Sequence, residues 1–213
     1  MSAGRILVLF AVRDEAKHFQ PPVSNCIVVV SGIGKANAER ALLKSIQGDA
    51  PRLVLTCGYA GGLNPGFKRG EVLFDADANC EFTGTLAKLG ATPGRFHCAN
   101  RIITTIAEKR ALWQATGADA VEMESGVIRE LCRQRSMPSA TIRVISDDAG
   151  QDLPMDFNKI SGADGNVSYL KLTGALMKSP GLVPNLMRFQ RELDGCARKL
   201  GDTLRGVVSA WTA

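Results

Sequence analysis

Six short runs dominated by Val, Ile and Leu punctuate the chain, at Ile6–Phe10, Cys26–Val30, 53–57, 71–74, 96–103 and 140–145. Apolar runs of this length, bounded by turn residues, read as strands buried within a sheet. Helix-like stretches at 35–47 and 120–135 lie between several of them. Strands alternating with helices specify an α/β layered fold around a largely parallel sheet. Near Glu71 and Phe96 one run succeeds another with little helix between, so the sheet is expected to be mixed. No internal repeat or low-complexity linker divides the 213 residues, which predicts a single domain spanning 1–213.

Composition narrows the function classes. A net charge of +5 would suit an anionic partner, but Lys and Arg are scattered and only 6% of residues are aromatic, which argues against nucleic acid. Six widely spaced cysteines with no CxxC pair, and only two histidines, leave no pattern for a zinc or redox site. Charge at Arg13 interrupts the first apolar run too soon for a signal peptide, so a reduced, cytoplasmic protein is expected. From about residue 168 the pattern is helical, broken by Pro180-Gly181 and Pro184. Leu182, Val183, Leu186, Met187, Phe189 and Leu193 form an apolar stripe with Arg188, Arg191, Arg198 and Lys199 interspersed. Two readings stay open: a terminal helix packed on the sheet, or a greasy basic surface touching a membrane or a lipid-like substrate.

The candidate chemistry sits at strand ends. Asp147 closes the run 140–145, and an acid leaving a buried strand is delivered to a sheet rim, where α/β folds bind ligands. It could equally cap the next turn or helix. Two further acids, Glu124 and Glu15, come after the same kind of apolar segment. Two glycine-bearing turns, Ser31-Gly32-Ile33-Gly34-Lys35 and Gly58-Tyr59-Ala60-Gly61-Gly62, each succeed a strand and would expose backbone amides to a ligand. As a dinucleotide signature the first is poor, with Asn37 where the third glycine belongs.

Taken in order, Phe10-Ala11-Val12-Arg13-Asp14-Glu15, the two glycine loops, Val121-Glu122-Met123-Glu124 and Arg143-Val144-Ile145-Ser146-Asp147 resemble the nucleoside phosphorylase superfamily, and within it the methylthioadenosine and adenosylhomocysteine nucleosidases. The resemblance runs from about Arg5 to Phe157. It implies a three-layer α/β/α sandwich, an adenine nucleoside as substrate, no cofactor or metal, and a homodimer. It also implies roles. Asp147 would face N7 of the purine, Glu124 would hold the ribose hydroxyls, Met123 would pack on the sugar, Glu15 would activate water and Phe157 would close over the base; Ile33, Ala60, Gly61 and Ser146 would complete the binding surface.

The chemistry accounts for those residue types. Cleaving an N-glycosidic bond develops positive charge on the sugar, and adenine leaves poorly unless a ring nitrogen is protonated. A carboxyl buried at the end of an apolar strand is expected to keep that proton near neutral pH. Glu124 is expected to stay ionised instead, so that its hydrogen bonds strengthen as the cation forms.

Two departures qualify the resemblance. Tyr59 stands where the nucleosidases carry a small serine, which reopens the nucleophile. Arg13 and Arg101 are candidates to hold phosphate, yet Glu15 would repel a dianion, so water is favoured over phosphorolysis. The short segment 79–94 and the string Glu108-Lys109-Arg110-Ala111-Leu112 resemble the hopanoid-associated branch, which implies adenosylhopane as substrate. Loss of turnover, leaving a nucleoside-binding or lipid-sensing module, is the alternative from another class.

Overall fold

The computed structural model describes residues 4–48, 50–78, 80, 82–159 and 181–212. Its eight strands form one sheet: β1 (Ile6–Phe10), β2 (Cys26–Val30), β3 (Leu53–Gly62), β4 (Val72–Ala76), β5 (Thr92–Pro93), β6 (Phe96–Cys98), β7 (Ala120–Glu122) and β8 (Ser139–Asp147). The order runs β2-β1-β3-β8-β4-β5, with β7 added on the end of β3 and β6 paired to β7. Pairing is parallel throughout except β3 with β7 and β4 with β8, so the sheet is mixed and mostly parallel, as expected.

Alternation along β1 shows how the layers form. Ile6, Val8 and Phe10 point to one face, Leu7 and Leu9 to the other, and all five are buried. On the second face pack α2 (Lys35–Ser45) and α5 (Ser125–Gln134), through Ala38, Leu42, Ile128, Leu131 and Cys132. The first face takes Leu86 of α3 (Thr83–Lys88) and Leu200, Leu204 and Val207 of the C-terminal helix α6 (Leu182–Thr212). The one-turn α1 (Arg13–Ala16) comes directly after β1, and α4 (Ile106–Thr116) flanks the rim near β7. Helices on both faces of a mixed sheet give the expected sandwich. Among the described residues no helix is long and apolar enough to cross a membrane.

Four local expectations need correction. The stretch 120–135 is not all helix: residues Ala120–Glu122 pair antiparallel with β3, and α5 begins only at Ser125. Glu122 sets that boundary, because its carboxylate accepts from the Glu124 and Ser125 amides at 2.9 and 2.7 Å and so satisfies the helix start. The run 96–103 is strand only over Phe96–Cys98; the rest is loop. The glycines 58–62 continue β3 rather than turning, with a bulge between Ala60 and Gly61 that brings Gly61 opposite Asp147 of β8. Pro184 does not break the C-terminal helix either. It sits in the first turn of α6, where its missing N–H has no intrahelical partner to lose. The helical pattern from 168 falls partly outside the described residues.

The sequence reading overlooked α4, which has a start signal of its own. Thr105 Oγ1 accepts from the Glu108 amide at 3.2 Å while Glu108 accepts from Thr105 N at 3.1 Å, and Gly117 ends the helix in the left-handed region. Docking of α6 on the sheet predicts a stability test. Leu200 has no exposed surface, so Leu200→Ala should cost about 2–5 kcal/mol in urea unfolding, at unchanged slope.

Candidate active site

Strands β1, β3 and β8 run parallel and finish at one rim, and the segments leaving their ends build the site. A cavity of about 240 Å³ opens there. All nine residues predicted from the sequence line it: Glu15, Ile33, Ala60, Gly61, Met123, Glu124, Ser146, Asp147 and Phe157. Glu15 arrives on α1, Glu124 on the turn after β7, Asp147 on the end of β8 and Phe157 on a 3₁₀ turn. Ile33 comes from the glycine loop after β2, where the Gly34 amide donates to Glu124 Oε1 at 2.8 Å.

The floor of the cavity is organised by a residue that the sequence reading passed over. Arg143 of β8 is 1% exposed, and its Nη2 lies 2.7 Å from Glu122 Oε2 and 3.3 Å from Glu124 Oε2. It also donates to the Thr56 hydroxyl and the Cys57 carbonyl, both at 3.1 Å. Two carboxylates and two neutral acceptors around one guanidinium make its burial tolerable.

The acids are sorted by their neighbours. Burial opposes ionisation of Glu122, yet Arg143 and the Ser125 and Glu124 amides outweigh it and hold the carboxyl below the ordinary range. Glu124 receives less help. Burial pushes it up to about 7, with Arg143 opposing and the negative charges of Glu122 and Glu15 adding to the rise. It therefore titrates near neutral pH, rather than staying ionised throughout as expected. Glu15 is also raised by burial, against the pull of Arg143 and of three amides: Ala11 and Val12 donate to Oε2 at 2.8 and 3.0 Å, and Tyr59 to Oε1 at 2.8 Å. A carboxyl so held is aimed into the cavity and disposed to take up a proton.

Asp147, expected as a buried acid at a strand end, has two close neighbours there. Ser146 donates its hydroxyl to Oδ1 at 2.5 Å, and Lys109 Nζ of α4 lies 2.5 Å from Oδ2. The lysine makes no hydrogen bond to Oδ2, so it acts on this carboxyl through the proximity of its charge. The string Glu108-Lys109-Arg110-Ala111-Leu112 gave no sign that Lys109 would meet Asp147, because that contact depends on how α4 packs.

The lid was legible only in part. Phe157 and Phe189 have ring centroids 6.1 Å apart, and Phe189 and Leu193 of α6 line the cavity. Tyr59 donates its phenol to the Leu193 carbonyl at 3.1 Å, and Arg69 pairs with Glu192 at 2.7 Å. The apolar stripe of α6 thus splits: Phe189 and Leu193 face the site, while Val183 and Met187 are exposed. Of the two candidate phosphate ligands, Arg101 lines the cavity but pairs with Glu108 at 2.7 Å, and Arg13 does not line it. Among the described residues no cluster of His, Cys, Asp or Glu is arranged to hold a metal.

Against known proteins, the model of the phosphorylase superfamily matches residues 22–90 and 78–164. The chain belongs to the phosphorylase superfamily. Among relatives of this superfamily member, a 5′-methylthioadenosine/S-adenosylhomocysteine nucleosidase of Anoxybacillus flavithermus is 26% identical over 170 residues, 64% of this chain and 73% of the relative. A protein of the same name from Shewanella sp. (strain MR-7) is 27% identical over 166 residues, covering 62% and 70%. Among solved structures, futalosine hydrolase of Helicobacter pylori superposes with a TM-score of 0.68 at 20% identity, over 97% of this chain and 98% of its own. The methylthioadenosine/adenosylhomocysteine nucleosidase of the same organism gives 0.68 at 19% identity, over 99% and 100%. The likeness to the solved structures concerns the fold.

One glycine gives this geometry a test. Gly58 has φ +149°, and a Cβ there would lie 2.3 Å from Glu15 Oε1 and 2.5 Å from Arg143 Nη1. Gly58→Ala should lower stability by about 1–3 kcal/mol in urea unfolding and shift the acid limb of any activity, since it displaces both groups.

Proposed function

We propose that this protein hydrolyses the N-glycosidic bond of a 5′-modified adenine nucleoside, releasing adenine. The observation that carries the reading is the meeting of Glu15, Glu124 and Asp147, acids far apart in sequence, around one cavity with Met123 and Phe157. The names of the related nucleosidases support the same class.

The roles derive from the chemistry of a glycosidic bond. Asp147 gives a proton to N7 of the purine; the C1′–N9 bond breaks and its electron pair passes to the base. Glu124 holds the ribose hydroxyls as a carboxylate while positive charge grows on the sugar. Water adds to C1′, and Glu15 takes the proton that the water loses. Adenine leaves with the proton from Asp147, and solvent returns the proton on Glu15 to the site. Atoms and charge balance with water as the sole co-reactant.

Water is preferred over phosphate for an electrostatic reason. A phosphate dianion needs cations facing it; Arg101, which lines the cavity, is paired with Glu108, and Arg143 beneath it is committed to Glu122 and Glu124. Glu15 adds a further acid where the nucleophile would stand. For the 5′ group, the apolar wall made by Leu153, Phe189 and Leu193 favours an uncharged substituent next to the sugar. Adenosylhopane gains nothing from the relatives, whose names concern thioether nucleosides and futalosine.

The test is base release from methylthioadenosine, adenosylhomocysteine, futalosine and a long-chain apolar adenosine, each with and without phosphate. Release should need no phosphate, and Asp147→Asn should reduce it by about a hundredfold or more. Full activity in that variant would remove Asp147 from the mechanism. The pH dependence has a defined sign. Glu124 acts as the carboxylate and is pushed up to about 7, so kcat/KM should fall as pH drops below about 7, approaching tenfold per unit, and level off above it.

A further inference from the structure

Lys109 is wholly buried, and a buried ammonium in a small protein needs a reason. Its Nζ donates to the Asp148 carbonyl at 2.8 Å and the Gln151 carbonyl at 2.7 Å, and lies 2.5 Å from Asp147 Oδ2. The two carbonyls belong to the loop after β8, so the lysine is anchored by the chain that carries the acid. Oδ2 has no hydrogen-bond partner of its own among the described residues, whereas Oδ1 accepts from Ser146. One carboxylate oxygen is thus tied down. The other is left with a fixed positive charge behind it, at the edge of the cavity.

This arrangement bears on the acid step assigned under the proposed function, and the inference rests on that reading. When Asp147 gives up its proton, it becomes a carboxylate that is 4% exposed. Leaving such a charge unpaired in a buried site is costly. We propose that Lys109 is a positioning residue for proton donation: its ammonium orients Asp147 and meets the negative charge that appears on the carboxylate as the proton passes to the leaving base. The O–H bond of Asp147 breaks as the N–H bond of the purine forms, and the ammonium keeps all its protons. Because the ion pair is fully developed only once the proton has moved, it stabilises the transition state more than the bound substrate, and its loss belongs in kcat.

The competing account is that Lys109 merely pins the loop 148–151. The leaving group separates the two. A riboside carrying p-nitrophenolate departs without a proton, so it needs neither Asp147 as an acid nor Lys109 behind it, though it needs an intact loop and sugar site. Lys109→Gln keeps a donor for the carbonyls and removes the charge; Lys109→Met removes both and serves if the first variant does not fold. For adenine nucleosides kcat should fall about a hundredfold with KM within about threefold, while the nitrophenyl riboside should change by less than about threefold. Equal losses on both substrates, or a rise in KM in place of the fall in kcat, would make Lys109 a loop anchor and overturn the proposal, as would wild-type kcat. Asp147→Asn run in parallel keeps the two claims apart. If Asp147→Asn is inactive on adenine nucleosides and Lys109→Gln is not, only the role of Lys109 fails; if neither variant is impaired, the acid assignment itself is wrong.

Discussion

A single buried guanidinium organises this site. Arg143 reaches from the middle of β8 to Glu122 and Glu124, and its Nη1 and Nη2 also donate to the Cys57 carbonyl and the Thr56 hydroxyl of β3. Glu122 in turn starts α5, and Glu124 takes the Gly34 amide from the loop after β2. The middles of β3 and β8, the end of β7, the loop after β2 and the start of α5 are thereby referred to one charge. Removing a partner from such a buried cluster costs about 3–5 kcal/mol, because the charge left behind has no water to turn to. The glycine at position 58 belongs to the same constraint, since any side chain there would occupy the space between Glu15 and Arg143.

That frame explains why similar carboxylates do different things. Glu122, wrapped by Arg143 and helix amides, is fixed as a carboxylate and structural. Glu124 shares Arg143 less closely and sits near Glu122 and Glu15, so it titrates around neutrality. Glu15 is restrained by three amides and raised by burial, which suits a group that must accept a proton from water. Asp147 has a cation of its own, Lys109, separate from Arg143's cluster. Differences in neighbours, rather than in residue type, divide the labour.

Much of this is readable in the sequence alone. The runs at Ile6–Phe10 and Cys26–Val30 are strands with those bounds, because short apolar runs closed by turn residues suit a sheet; β1 is buried throughout as expected, whereas β2 ends the sheet order and leaves Ile27 and Val30 exposed. The nine site residues named from the motifs all reach one cavity. What stayed hidden depends on tertiary geometry. Arg143 was visible only as one letter of the string ending in Asp147, and nothing local shows that a lone arginine in an apolar run will face two glutamates. Lys109 entered only as one letter of the string Glu108-Lys109-Arg110-Ala111-Leu112, and nothing local shows that it will be wholly buried against Asp147 and the loop after β8. Tyr59, read as a loss of the expected serine, turns its hydroxyl to the backbone of α6 at Leu193 and helps hold that helix against the site. The glycines after it were read as a turn because glycine marks turns more often than it marks close backbone packing.

Attack of water on C1′, at the cavity shared by Glu15, Glu124 and Asp147, is the event on which the proposed chemistry stands or falls. Turnover of a 5′-modified adenosine in ¹⁸O-labelled water, with mass spectrometry of the sugar, reads that event directly. One ¹⁸O should appear at the anomeric carbon of a free reducing sugar, formed at the same rate with or without phosphate. A sugar 1-phosphate that appears only when phosphate is supplied, with no label from water, would contradict hydrolysis.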